Sequence, residues 1–410
     1  MSAEKQKEKR KSFADLETSS HLFTGHEIGL FYGFTPIETP SITQNDTQFA
    51  RKISEGEIVV DAASEGGGAW VKLEEKIALL RLYDEYNLGR EPQPILVSTT
   101  RPFRNDRTKI NPKESHHSFD ILGTNKSIAE ALLIKAAMAL LSESGEENLH
   151  LEINSMGDKE SMLRFARELT VFYKRHLGLL PAACVEKFKK DPFSLLGCQH
   201  EKCKELSLEC PKAINFLSEE SRNRFKEILE FIEILGIPYE INNTLVANRD
   251  YCSETVFEIR SSDKKDYPLA VGIRYDMLSR KLGERREVSG AGVSVVYKTT
   301  SKHKLTKIRF AKLSRPKICF MQLGYEAKLK ALAVIETLRL AGIVVSHVLA
   351  RDKMSGQVSF AERGDVPYVI IMGKKEAMED SVIVRNNSSR SQETVLVKDL
   401  AKHLKKHRIG

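Results

Sequence analysis

Long apolar runs are missing from this sequence. No stretch approaches membrane-spanning length, which argues against a helical membrane protein. The first residues, MSAEKQKEKRKSF, have no apolar centre, so they are no secretory signal and read as a disordered leader over 1–11. Six cysteines in 410 residues, with no signal, argue against a disulfide framework and point to the cytoplasm. Neither GxxxxGK(S/T) nor GxGxxG occurs, so a Walker-type or Rossmann nucleotide site is unsupported. Tryptophan occurs once, at Trp70, just after Gly66-Gly67-Gly68. Three glycines let a backbone approach a ligand, but a flexible loop is the simpler reading.

What remains is an ordinary globular composition, 41% hydrophobic and 29% charged, long enough for two or three domains. The net charge of +8 mildly favours an anionic partner such as RNA.

The chain is organised around Thr99–Gly123. Pro94–Thr99 is rich in β-branched residues and reads as a strand. Arg101, Arg104 and Arg107 follow with Asp106 among them, then Asn111-Pro112 signals a turn. His116, His117, Phe119, Asp120, Ile121 and Leu122 return as a second strand, ending at Gly123. Two antiparallel strands under a basic loop can hold a nucleotide triphosphate, because guanidinium forks match phosphate oxygens. An exposed hairpin with solvated charges is the alternative.

Phe103–Arg107, Glu114-Ser115-His116-His117 and Gly123 resemble motif 2 of class II aminoacyl-tRNA synthetases, in the version of the histidyl-tRNA synthetases. Other segments resemble the same family in the same order. Phe13, Leu16, Leu22, Phe23, Ile28 and Leu30 predict a helix over 12–31, and Gly33 can take the positive φ that ends it. Tyr32–Ser41, with Pro40 at a strand end, then resembles motif 1, a dimer-interface element. Leu73–Tyr83 has helical spacing. Glu74, seven residues before Arg81, matches the family's glutamate for the histidine amine, although Lys72, Leu73 and Lys76 replace its Arg, Pro and Thr. Glu130 matches an acidic helix position, and INSMGD at 153–158 resembles the stretch after motif 2.

Residues 177–242 resemble the family's helical insertion and carry Cys184, Cys198, Cys203 and Cys210. Cys198, His200, Cys203 and Cys210 form a metal-like constellation suited to Zn²⁺, or else are reduced structural cysteines. Leu245–Glu258 resembles the histidine-binding loop LVRGLDYYxxTVFE, with Ala247 for its catalytic Arg, Asn248 for its Gly and Cys252 for its second Tyr. On a strand Arg249 faces the same side as Ala247, which suggests partial replacement. Gly272–Asp276 resembles GGRYD. Motif 3 is reduced to Gly290–Lys298, with Tyr297 at the position of the ATP-gripping Arg and Lys298 beside it. A lysine cannot reproduce a planar guanidinium on adenine.

Strands and helices alternate from Ile318 onward, and this part resembles the anticodon-binding domain of the family. Lys402, Lys405, Lys406 and Arg408 make the last helix basic, for phosphate contact or as a solvated face.

The resemblance implies an α+β fold: an antiparallel-sheet catalytic core over 12–313 with a helical insertion at about 177–242, and an α/β anticodon-binding-like domain over 317–410. It implies ATP and Mg²⁺ as cofactors, histidine and tRNA as partners, and a homodimer. Arg104 and Arg249 are then catalytic, and Arg104, Asp106 and Lys298 bind ATP. Glu74, His117, Asp120, Asp250, Tyr251 and Arg274 lie around histidine. Full domain retention favours an unusual histidine–tRNA ligase. Ala247 and Tyr297 favour a paralogue that binds tRNA, histidine or a partner without aminoacylating. A free-standing RNA-binding protein is the third reading.

Overall fold

The computed structural model describes residues 12–19, 23–53, 69–105, 109–263, 267–283, 287–298 and 307–409; at 14, 102–105, 109–113 and 307–309 it describes the backbone alone. Gly66-Gly67-Gly68 and Asp106 lie outside the described residues.

Eight strands form the first sheet: β1 (Thr35–Pro36), β2 (Ile95–Asn105), β3 (Lys109–Leu122), β4 (Leu149–Ser155), β5 (Tyr239–Ile241), β6 (Ser253–Ser261), β7 (Ala270–Arg274) and β8 (Gly290–Lys298). Their spatial order is β1-β2-β3-β8-β7-β6-β4-β5. All neighbours pair antiparallel except β1 with β2 and β5 with β4, the two edges. The predicted hairpin is thus β2–β3, and β3 sits inside the sheet between β2 and β8.

Strand alternation gives the sheet two apolar faces. Phe119, Ile121, Phe257, Ala291, Val293 and Val295 pack with the helix Ile128–Glu143. That helix is Ala- and Leu-rich, which suits a helix by propensity. It is apolar on nearly all sides and buried accordingly. On the opposite face, Val97, Leu122, Ile273 and Tyr275 pack with the helix Leu73–Glu85 and with helices of the insertion segment.

Within residues 177–242 the helices are Ala182–Lys190, Glu201–Glu209 and Glu219–Ile234, with short 3-10 turns between them. Asp158 caps the helix Lys159–Arg175 by accepting from the Ser161 N–H at 2.8 Å, and Ser218 caps Glu219–Ile234 the same way from Ser221 at 3.2 Å.

The second sheet holds β9 (Ile318–Gln322), β10 (Ser346–His347), β11 (Tyr368–Met372), β12 (Ser381–Asn386) and β13 (Gln392–Leu396), in the order β10-β9-β11-β12-β13. It is joined to the first part through polar ties as well as a shared core. Tyr32 donates to Glu336 at 2.5 Å, Arg339 reaches Glu143 at 3.0 Å, and Lys135 reaches Glu336 at 3.1 Å. The antiparallel core and the C-terminal α/β layer match the expected fold class.

Three local expectations change. The helix over 12–31 is a 3-10 turn, Phe13–Asp15, and a helix, Thr24–Phe31. Ser12 and Asp15 close the turn, and Thr18 then forms a bridge to Ile37, so tertiary pairing overrides helical spacing. Gly33, at φ +81°, does end the helix. Asn111-Pro112 is no turn but lies within β3, where the register slips between Pro102 and Phe103; a proline cannot donate to the ladder, and an irregularity accommodates it. The strand expected at 343–350 pairs only at Ser346 and His347.

Candidate active site

The helix Leu73–Glu85 lays Lys76 against β3 on the face opposite the helix Ile128–Glu143. Lys76 is 2% exposed. Its Nζ donates to Asp120 Oδ1 at 2.5 Å and to Ser118 Oγ at 3.0 Å, and lies 5.7 Å from the centre of the Tyr275 ring. Tyr275 donates to Asp120 Oδ1 at 2.9 Å and Ser118 to Oδ2 at 2.8 Å. One carboxylate therefore receives three donors, one of them cationic, which is what a charge at this depth requires. Burial, then the charge of Asp120, raises the Tyr275 hydroxyl well above its ordinary value.

Gly292 of β8 stands opposite Asp120 in the register, and it makes room for this group. A Cβ there would lie 2.1 Å from Asp120 Oδ1 and 3.0 Å from Lys76 Nζ. Gly292→Ala is expected to lower stability by about 1–3 kcal/mol, the usual range for an overpacked core. Urea denaturation checks this; an unchanged midpoint would mean that the Lys76–Asp120 pair shifts freely.

Beside Asp120, His116 is buried on the same face, 5.5 Å from the Trp70 ring, with Nε2 3.3 Å from the Trp70 carbonyl oxygen. Burial, then the guanidinium of Arg101, holds its pKa well below the ordinary value, so the ring is neutral. Arg101 lies over Trp70 and pairs with Glu75 at 2.9 Å. Glu75 rather than Glu74 is thus the acidic residue engaged with the hairpin; Glu74 is half-buried in the same first turn.

His117 points the other way. Its ring packs on Phe119 and His26, at 4.4 and 5.2 Å between centroids, and Nδ1 lies 2.5 Å from Thr100 Oγ1. Burial, then His26, keeps it neutral. His116, Ser118 and Asp120 share one face of β3, so His117 and Asp120 stand on opposite faces. Sequence reasoning named His117 and missed His116 and Lys76 as neighbours of Asp120.

Arg274 is fully buried. Nε and Nη2 donate to the two oxygens of Glu130 at 2.6 and 2.9 Å, and Nη1 donates to Asp276 at 3.0 Å and to the Thr124 carbonyl at 3.1 Å. Arg224 adds a contact to Glu130 at 2.5 Å. Arg274 therefore ties β7 to the helix Ile128–Glu143.

Residues 245–252 form no strand, so the alternation assumed for Arg249 does not apply. Arg249 pairs with Asp191 at 2.7 Å and its guanidinium lies 4.2 Å from the Phe193 ring centre, both in the insertion segment. Asp250 is half-exposed, 3.8 Å from Lys281, and Tyr251 is buried. Tyr297 is buried on the His117 side of the sheet, and burial pushes its hydroxyl up to about 12. Lys298, the last residue of β8, pairs with Glu146 at 3.1 Å. Arg104 lies on β2 opposite Ile110.

The cysteines group differently from their expected set. Cys184, Cys198 and Cys203 bring their sulfurs within 4.8 Å of one another. His200 Nδ1 instead accepts from the Lys202 N–H at 3.3 Å, and Cys210 donates to the Ser207 carbonyl at 3.1 Å. Among the described residues no helix is long and apolar enough to cross a membrane.

Comparison with known proteins follows the same layout. Residues 317–407 match the anticodon binding domain family. The histidine–tRNA ligase of Desulforamulus reducens is 27% identical over 387 residues, covering 91% of each chain. That of Caldanaerobacter subterraneus is 26% identical over 392 residues, covering 92% of this chain and 93% of the relative. The crystal structure of apo S. aureus histidyl-tRNA synthetase aligns with a TM-score of 0.44 at 20% identity, over 89% of this chain and 97% of that one. The chain is thus similar to histidine–tRNA ligases over about nine-tenths of its length, and its residues 317–407 match the anticodon binding domain family.

Proposed function

We propose that this chain is a histidine–tRNA ligase-type protein, activating histidine with ATP and transferring it to tRNA as a homodimer. The observation that carries this is the co-linear match to histidine–tRNA ligases across nine-tenths of both chains, anticodon binding domain included. In this reading Arg104 holds the α-phosphate, Asp106 helps bind ATP, and the basic last helix meets tRNA phosphates. Cations at the α-phosphate and the leaving pyrophosphate stabilise charge that develops in the transition state. Mg²⁺, when bound, would supply further positive charge for the triphosphate. The described part of β8 fits a nucleotide poorly: Lys298 is engaged by Glu146 and Tyr297 is buried. In this reading the phosphate grip therefore rests on the β2–β3 hairpin, with Arg104 on β2.

One observation favours a second reading, a paralogue that binds tRNA without aminoacylating. The buried ammonium of Lys76 already occupies Asp120, the carboxylate expected beside histidine. Histidine-dependent ATP–pyrophosphate exchange separates the two. Exchange above a histidine-free control supports the ligase. No exchange at saturating Mg²⁺, with tRNA binding retained, replaces it with the paralogue.

A further inference from the structure

The insertion segment holds a cluster that the ligase reaction does not use. We propose that Cys184, Cys198 and Cys203 are ligands of a structural zinc ion, with Cys210 completing a four-thiolate set.

Tetrahedral zinc with Zn–S bonds of about 2.3 Å sets its sulfurs roughly 3.8 Å apart, the edge of that tetrahedron. Cys184 Sγ and Cys198 Sγ are 3.8 Å apart, and Cys203 Sγ lies within 4.8 Å of both. These separations are too long for a disulfide, whose sulfurs sit about 2.05 Å apart. The three thiols come from three separate pieces of chain. Cys184 is on the helix Ala182–Lys190, Cys198 follows the 3-10 turn Pro192–Leu195, and Cys203 lies in the helix Glu201–Glu209. Buried cysteines that only fill a core need not converge on one point.

A further feature suits a cation surrounded by thiolates. Tyr173 is fully buried in the same core cluster as Cys184, Cys203 and Cys210, and its hydroxyl has no hydrogen-bond partner. A thiolate site within that cluster would give the orphan an acceptor. Cys210 is chosen over His200 as the fourth ligand for the same reason. It is buried in the same core cluster as Tyr173, Cys184 and Cys203, whereas the side chain of His200 is exposed and caps a helix.

Such an ion would staple the segment that carries Asp191 and Phe193, the two residues on which Arg249 rests. Zinc would then set the position of the 245–252 loop, because metal affinity becomes local folding energy.

The test is metal analysis of the intact chain purified under reducing conditions without chelator. About one zinc per chain is expected, and cobalt reconstitution should give the charge-transfer and visible bands of a tetrahedral thiolate site. Cys184→Ser, Cys198→Ser, Cys203→Ser and Cys210→Ser should each lose the metal, while Cys319→Ser keeps it. Zinc retained in Cys210→Ser would overturn the fourth ligand. If the serine variants do not fold, the wild-type chain decides. A zinc chelator should lower its melting temperature and expose four protected thiols, and added Zn²⁺ should reverse both. Wild-type protein without zinc, without cobalt bands and indifferent to chelator would overturn the site.

Discussion

Replacing Arg274 with methionine is expected to lower stability by about 3–5 kcal/mol, the range for breaking a buried ion pair from one side. The guanidinium is fully buried and Glu130 is 1% exposed, so the carboxylate left behind cannot turn to water. Arg224 remains at 2.5 Å from Glu130 and keeps the loss from being larger. A paired change, Arg274→Met with Glu130→Gln, should recover part of the loss, because the stranded charge is then gone.

The same pair predicts an acid response. Burial opposes the charge of Glu130, yet Arg224 and Arg274 overcome it and lower its pKa from the ordinary 4.5 to about 2. A lowered carboxyl contributes stability above its unfolded pKa and loses it as pH falls through the folded one. Wild-type protein should therefore keep this contribution at pH 5–7 and lose it between about 4.5 and 2. The Arg274→Met chain lacks most of it already at neutral pH, so its urea midpoint should sit closer to the wild-type value at pH 3 than at pH 7. Equal midpoints at pH 7 would remove Arg274 from the role of a structural tie.

Parts of this architecture are readable directly. Alternation in Leu149–Asn154, the β-branched run before Arg101 and the caps Asp158 and Ser218 act through local geometry, and the structure forms those elements. The face of each hairpin residue was also in the sequence. His117 and Asp120 are an odd number of residues apart, so a regular strand separates them, while His116 joins Asp120. Lys76 had a signal too. Leu73, Lys76, Ile77 and Leu80 fall at helical spacing on one apolar stripe, and a lysine in such a stripe needs an anion in the core. Other features had none. Arg249 meets Asp191 and Cys184 meets Cys198 only because loops of the insertion fold back, and no periodicity encodes where an irregular segment returns.

Lys76 is where the two functional readings part, so its removal carries the second large effect. Lys76→Ala leaves Asp120 with Ser118 and Tyr275 as donors but without a cation. Stability should fall by about 3–5 kcal/mol, as for other buried pairs broken from one side. The vacated space faces a carboxylate, and a small ammonium compound can refill it. Ethylammonium should therefore raise the melting temperature of Lys76→Ala more than that of wild type. If Lys76 blocks the amino-acid position, histidine should do the same, stabilising the variant and leaving wild type unmoved. Lys76→Met with Asp120→Asn removes both charges at similar volume, and should be more stable than Lys76→Ala yet deaf to ethylammonium. Histidine that stabilises wild type as strongly as the variant would show that the Lys76 ammonium is no obstacle. The ligase reading would then stand despite the pair, with Asp120 serving the lysine and the substrate bound elsewhere on the same face.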